Sequence, residues 1–347
     1  MELGKKTTLK RTFFLVVVVA ITVEILLRLF GINQTNEEEH LNFYSYKYKT
    51  NRPTWFHTWQ ANTSIEYGNG EFLYHNTFNE LGHRELSFKN FEQDSTSIKI
   101  VCLGDSFTEG DGAPYDSSWV RFFEKNLALE LDTPVFAYNA GVCGSDVLFN
   151  GVMFKEKLLA AQPNIVFECV NNSDITDIYY RGGSERFLAD GSLGAPNEKK
   201  WEVFYKYSYL FRALLVTFTQ YNNNLINHAT IDKEENEALH LLIKQLEETA
   251  QLCKENNIDY HVIMMPVPNE IMDKSAYIFD SLAFLLPEKV AFINLFPSTY
   301  ASFDTLDIYQ YSWPKNGHYN SMGYEVMSSC IFEEYVHTTT KPTQHVQ

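Results

Sequence analysis

Cysteine is scarce in this chain: there are five in 347 residues, and no two are spaced as CxxC. That excludes a disulfide-built scaffold and the common zinc and redox-pair signatures. Basic residues are also few. The 28 Lys and Arg face 44 Asp and Glu, a net charge of −16. Nucleic acid is set aside as a partner, because phosphate neutralisation needs clustered cations. No internal repeat, low-complexity tract, metal-ligand cluster or nucleotide-binding glycine loop occurs, so no cofactor is expected. What is present is apolar bulk. Aromatics reach 15%, too many for a disordered chain. The length suits one large domain with an appendage and a sizeable core.

The charge that exists is unevenly placed. Residues 1–32 hold Lys5, Lys6, Lys10, Arg11 and Arg28 against Glu2 and Glu24, and the acidic excess lies in the rest of the chain. The one long hydrophobic run is also here, from Phe13 to Ile32, interrupted only by Glu24 and Arg28 among charged residues. At 1.5 Å per residue it is long enough to cross a bilayer. Glu24 and Arg28 are spaced i,i+4 and can pair on one helix face. Positive charge precedes the span and Glu37–Glu39 follow it, which predicts a cytoplasmic tip and an extracytoplasmic body. A cleaved signal peptide is the rival, but Arg28, Leu29 and Phe30 stand where a small-residue cleavage site belongs. The expectation is therefore a single-pass membrane protein.

Three parts follow from the patterning. Residues 1–32 form the tip and anchor. Residues 33–97 are polar and aromatic, with turn signals at Asn51–Pro53 and Gly68–Gly70. Short alternating runs at 64–67 and 71–74 predict a small β-rich collar. From residue 98 apolar runs alternate with helical spacing. Strands are expected at 98–103, 135–138, 165–170, 260–265 and 290–295, and helices at 119–131, 150–161, 236–256 and 326–336. That alternation predicts an α/β fold with a parallel sheet between helical layers. An insertion at about 175–230, with an aromatic helix over 201–224, breaks the rhythm above the sheet's carboxyl edge. Residues 338–347 read as a tail.

Chemistry is expected where strands end. The first strand runs into Gly104-Asp-Ser-Phe-Thr-Glu-Gly110. A serine on such a turn exposes its hydroxyl to a pocket, although Asp and Ser there also suit an ordinary helix N-cap. Near the other end stands Asn316-Gly-His-Tyr-Asn-Ser-Met-Gly323. A single loop histidine is usually just a surface residue. A nucleophilic serine needs a base, however, and a carboxy-terminal loop can return to the first strand in a doubly wound sheet.

Taken in order, these blocks resemble the SGNH (GDSL-type) hydrolase superfamily over about residues 98–337. The resemblance implies a flavodoxin-like three-layer sandwich, with Ser106 as nucleophile and oxyanion donor and His318 as base. The segment Asn139-Ala-Gly-Val-Cys-Gly144 resembles the family's second block, placing an oxyanion N–H at Gly144. Asn76–Arg84 resembles what membrane-anchored members carry before the catalytic domain. Two departures stand out. The family's Gly-x-Asn-Asp block is Asn171-Asn-Ser-Asp174 here, so the oxyanion amide falls on Asn172 or is replaced by the Ser173 hydroxyl. The family's acid, two or three residues before the histidine, falls on Asn316 and Lys315. Asp304 and Asp307 lie upstream, out of that spacing.

The reading is a membrane-anchored serine esterase or acylesterase acting on ester-linked acyl groups. Ser106, His318 and Asn316 form its catalytic set, with oxyanion donors at Ser106, Gly144 and Asn172 or Ser173. Its substrate would be an acylated small molecule or a cell-envelope glycan. An O-acyltransferase shares the chemistry. A catalytically degenerate glycan-binding domain is the alternative of another class, motivated by the lost acid and block-three asparagine. Cys102, Cys143 and Cys169 are expected as free thiols, with Cys143 bordering the site.

Overall fold

The computed structural model describes residues 2–32, 58–68, 70–189, 193–194, 199–221, 227–275, 286, 290–303 and 307–340. The Asn51–Pro53 turn, Asp304 and residues 341–347 lie outside them. The first elements are helix α1 (Glu2–Leu29), the hairpin β1 (Thr63–Gly68) and β2 (Leu73–Phe78), helix α2 (Phe88–Gln93) and strand β3 (Ile98–Leu103). Then come α3 (Ser106–Glu109), α4 (Trp119–Leu131), β4 (Val135–Asn139), α5 (Val147–Met153), β5 (Ile165–Val170) and α6 (Ser173–Tyr180). The chain continues through α7 (Glu202–Tyr207), α8 (Tyr209–Phe218), α9 (Ile231–Glu255), β6 (Asp259–Met264) and α10 (Pro268–Asp273). It closes with β7 (Ala291–Asn294), α11 (Phe296–Ser302) and α12 (Ser321–Thr340).

Strands β3 to β7 make an all-parallel sheet in the order β4-β3-β5-β6-β7. Both faces are covered. Ile100 and Cys102 of β3 point into a core with Trp119 and Phe123 of α4 and Met327 and Ile331 of α12. Val101 and Leu103 point the other way, into a core with Phe91 of α2, Leu148 of α5 and Leu242 and Leu246 of α9. The alternation follows from the two-residue period of a strand. Every residue of β5 is buried, which is why its sequence reads as an unbroken apolar run except for Glu168. Each large apolar side chain so buried contributes on the order of 1.5–3 kcal/mol.

The order of strands also positions the site. The chain leaves β3 outward to β4 and returns to β5 on its other side, so the strand order reverses between β3 and β5. The crevice beyond their carboxyl ends is the place where such sheets bind ligands.

Four helices differ from the pattern's expectation; α9 and α12 each begin five residues early, at Ile231 and Ser321, and α12 continues to Thr340. The helix expected over 150–161 starts earlier, at Val147, capped by Asp146 accepting from Leu148 and Phe149 N–H at 3.0 and 3.2 Å. After Met153 it loosens into wide and then tight turns to Ala161. The aromatic helix expected over 201–224 is two helices, because Ser208 leaves helical geometry and caps α8 through the Phe211 N–H at 3.0 Å. Of the two short runs of the collar, 64–67 lies within β1, whereas β2 is shifted along the chain and takes in only Leu73 and Tyr74 of the run at 71–74; the pair is antiparallel, with Thr63 opposite Phe78.

Helix α1 carries a 20-residue stretch, Lys10–Leu29, with mean hydropathy 2.4 and none of its apolar window buried in the protein. It is long and apolar enough to cross a membrane. Near its carboxyl end Glu24 pairs with Arg28 at 2.7 Å. The Glu24 carboxylate also accepts from Ser208 Oγ and from the Tyr209 and Leu210 N–H groups, at 2.9, 3.1 and 2.8 Å. It thereby caps α8, satisfying the orphan donors of that helix start.

Candidate active site

Strand β3 ends at Leu103 and the chain turns at Gly104, where a Cβ would lie 2.2 Å from Thr108 Oγ1. Only glycine fits that approach. Asp105 then caps the single turn α3, its Oδ1 accepting from Phe107 N–H at 2.9 Å. Its Oδ2 accepts from Asn171 Nδ2 at 2.8 Å and Ser173 Oγ at 3.2 Å, tying the end of β3 to the end of β5. Ser106, first residue of α3, is buried except for 8% of its surface.

The His318 loop closes onto this turn. Ser106 Oγ lies 2.6 Å from His318 Nε2, and His318 Nδ1 lies 2.8 Å from Asn316 Oδ1. The imidazole packs against Phe107 in a tilted arrangement, ring centres 4.6 Å apart and planes at 34°. Gly317 sits at φ +81, and Trp313 exchanges main-chain bonds with His318 and Gly317 at 2.9 and 2.7 Å. Residues more than 200 positions apart in sequence thus share a hydrogen-bonded line, Asn316–His318–Ser106. In that line an acceptor at Nδ1 leaves Nε2 free to take the serine proton.

The oxyanion candidates divide. The Ser106 N–H opens a helical turn and the Gly144 N–H sits in a loop. Neither donates to another group among the described residues. Gly144 has φ +74, a left-handed conformation that a side chain would strain. Its loop is fixed to the serine turn on both sides: Val142 N–H and Ser145 Oγ reach Gly104 O at 3.1 and 3.0 Å, and Cys143 N–H reaches the Glu109 carboxylate at 2.5 Å. Asn172 is half-buried and stands at the N-cap of α6 without a side-chain capping bond. Ser173 is engaged elsewhere: its hydroxyl lies 2.8 Å from Asn171 Oδ1 and 3.2 Å from Asp105 Oδ2. Asp307 pairs with the Gln310 amide. All five cysteines are free thiols, with Cys143 half-buried beside the loop.

Sequence reasoning missed four contributors. Glu109, wholly buried, accepts from Trp59 Nε1 at 3.1 Å and from Cys143 N–H, and burial pushes its carboxyl up to about 7. Arg84 is 1% exposed and donates to Gly110 O and Ala113 O at 2.8 and 2.7 Å, fastening the segment after the hairpin to the serine block. Asp111 Oδ2 lies 3.6 Å from His318 Nδ1. Glu71, at the hairpin turn, accepts from the Lys315 and Asn316 N–H groups at 3.0 and 2.7 Å. None has a spacing signature, since each acts across the fold. The Asn76–Arg84 segment does its own anchoring. Asn79 and His83 both bond Tyr138 OH of β4, at 2.7 and 2.8 Å, and burial lowers the imidazole to about 3, so His83 is neutral.

Behind the site, Asp146 holds Arg186 at 2.5 and 2.6 Å, both side chains buried. Removing one partner of such a pair costs roughly 3–5 kcal/mol. It ties the start of α5 to the loop after α6.

No family model matches the chain. No curated protein matches it either. Among solved structures, the lipase Lip_vut3 from a goat rumen metagenome is similar with a TM-score of 0.46 and 15% identity, over 69% of this chain and 97% of that one. A putative lipolytic protein of the G-D-S-L family from Desulfitobacterium hafniense gives 0.40 and 15%, over 68% and 99%. A mutant of an acetyl-xylooligosaccharide esterase from Geobacillus Stearmophilus gives 0.41 and 12%, over 69% and 94%.

Proposed function

We propose that the protein is a membrane-anchored serine esterase of the SGNH type, acting outside the cytoplasm on ester-linked acyl groups, including those of cell-envelope glycans. The observation that carries the reading is the 2.6 Å contact between Ser106 Oγ and His318 Nε2, with Nδ1 held by Asn316. Ser106 attacks the ester carbonyl while Nε2 takes its proton. The carbonyl oxygen, now anionic, is received by the N–H groups of Ser106 and Gly144 and the amide of Asn172, donors without a competing partner among the described residues. The imidazolium returns the proton to the leaving alcohol. Water, activated by the same Nε2, then cleaves the acyl-serine. The Ser106 block, the Gly144 loop and the His318 loop come from three separate chain segments, as convergent catalytic groups on a doubly wound sheet do.

A cleft of about 320 Å³, lined by Trp59, Gln60, Ile65 and Tyr67 among others, opens on the hairpin side. Cys143, next to Gly144, packs with Trp59, Phe78, Ile65 and Tyr67 on this side, while Ser106, Gly144, Asn172 and His318 are not among the residues that line the cleft. The anchor reading is supported by the apolar, unburied span of α1 and by the basic residues before it. The division into anchor (1–32), hairpin segment (33–97) and catalytic domain (98–337) belongs to the same proposal.

The test is labelling of the detergent-solubilised protein with a fluorophosphonate, together with hydrolysis of a short-chain aryl ester. The wild type labels at one serine and turns over. Ser106→Ala does neither, yet melts at the wild-type temperature. Hydrolysis retained by Ser106→Ala overturns the assignment.

A further inference from the structure

We propose that Asp111 supplies the negative charge for the Ser106–His318 pair and that the β1–β2 hairpin holds it in place, which makes the hairpin part of the catalytic apparatus; this rests on the esterase reading above. Asn316 sets the direction of the imidazole, but its amide oxygen is neutral. When Nε2 takes the serine proton, the ring becomes a cation and a neutral acceptor balances little of that charge. Asp111 Oδ2 lies 3.6 Å from the same Nδ1, and among the described residues His318 is the one basic side chain within ion-pair distance of this carboxylate. The carboxylate is buried, 4% exposed, where attraction is weakly screened.

Asp111 is held by two hydroxyls from the hairpin. Tyr74 OH donates to Oδ1 at 3.0 Å and Tyr67 OH to Oδ2 at 3.3 Å. Tyr74 OH in turn accepts from Gly112 N–H at 2.9 Å, so its own proton is directed at the carboxylate. Burial, and next the neighbouring negative groups, raise both phenols above their ordinary range and keep them donors. The main chain of Asp111 is fixed as well: its N–H reaches Ser106 O at 2.9 Å and Tyr324 OH reaches its carbonyl at 2.7 Å. The hairpin grips the histidine loop at the same time. Glu71 holds the Lys315 and Asn316 N–H groups, and Phe72 packs on Trp313, ring centres 5.5 Å apart. Trp313 Nε1 closes the circuit on Gly112 O at 2.6 Å. Orientation and charge, which one aspartate commonly combines, are divided here between Asn316 and Asp111.

The experiment uses the full-length chain in detergent, with aryl-ester hydrolysis and fluorophosphonate labelling as readouts. Asp111→Asn is isosteric; it is expected to lower kcat and labelling rate about 100-fold while KM stays within about twofold, because the loss falls on the transition state. Asn316→Asp added to that variant returns a carboxylate to Nδ1 and is expected to recover at least about tenfold. A merely structural Asp111 is not rescued by a charge at position 316. Should Asp111→Asn fail to fold, Tyr74→Phe removes one of the two donors and is expected to slow labelling several-fold. Wild-type rates in Asp111→Asn, or a loss that Asn316→Asp does not recover, overturn the proposal. A wild type that never labels at Ser106 overturns the esterase reading itself, a separate result.

Discussion

Replacing Asn172 and Ser173 by alanine, one at a time, separates an oxyanion donor from a scaffold residue. The two are adjacent, and either could stand in for the asparagine of the resembled family. Ser173 Oγ is committed at 2.8 and 3.2 Å to Asn171 and Asp105. Asn172 has no side-chain capping bond and is half-buried at the same strand end. Ser173→Ala therefore removes the single hydroxyl proton shared between Asn171 Oδ1 and Asp105 Oδ2, while Asp105 Oδ2 still accepts from Asn171. That should cost about 1–3 kcal/mol of stability and leave kcat within about fivefold. Asn172→Ala should leave stability unchanged and lower kcat about 10²–10³-fold, or roughly 2.7–4 kcal/mol of transition-state stabilisation, the loss expected for one preorganised donor. Urea unfolding and steady-state hydrolysis of a short-chain aryl ester, run on both variants, give the two quantities. If Ser173→Ala loses a hundredfold in kcat while Asn172→Ala does not, the hydroxyl is the donor and the reasoning from committed bonds is wrong.

Two further outcomes test other parts of the molecule. Deleting residues 1–32 should release a folded domain that stays soluble in high salt. Amide exchange should quicken in α8, which loses the Glu24 acceptor for its first N–H groups; a truncated chain that still sediments with membranes refutes the single-anchor reading. Glu168 is buried in β5, takes one bond from Asn150 at 2.8 Å, and burial pushes its carboxyl up to about 8. Because the folded value lies above the unfolded one, its contribution to stability is full below about pH 4.5 and is lost as pH rises through about 8, on the order of 3–5 kcal/mol in all. Glu168→Gln should abolish that part of the slope, so the wild type should lose ground to the variant between pH 5 and 8 in urea unfolding; parallel curves refute it.

Much of the sheet was legible because period-two and continuous apolar runs report burial directly. Strands 98–103 and 165–170 needed no more than their own residues. Ser106 and His318 were legible because each sits in a short local signature, a glycine-led turn after a strand and a glycine-flanked loop before a helix. The helix at 150–161 was less so. Its apolar spacing persists after Met153, but the backbone there follows wide and tight turns set by packing rather than by spacing. The break at Ser208 had a local cause, a serine able to cap, but that residue competes with the aromatic periodicity around it, and the periodicity was the stronger signal.

What sequence alone determined, then, is what neighbours along the chain determine: which segments alternate, which turns need glycine, where an apolar span precedes a charged body. Tertiary structure decided the partners. Asp111 directly follows Gly110, the glycine that ends the serine block, yet nothing local distinguishes it. Its role depends on Tyr67 and Tyr74, some 40 residues upstream, and on His318, some 200 downstream. Ser173 Oγ is engaged locally by Asn171 Oδ1 at 2.8 Å and across the sheet by Asp105 Oδ2 at 3.2 Å, and only the second contact comes from another strand. A hydrogen bond acts over about 3 Å, so only the folded chain, which brings distant residues to that range, can assign it.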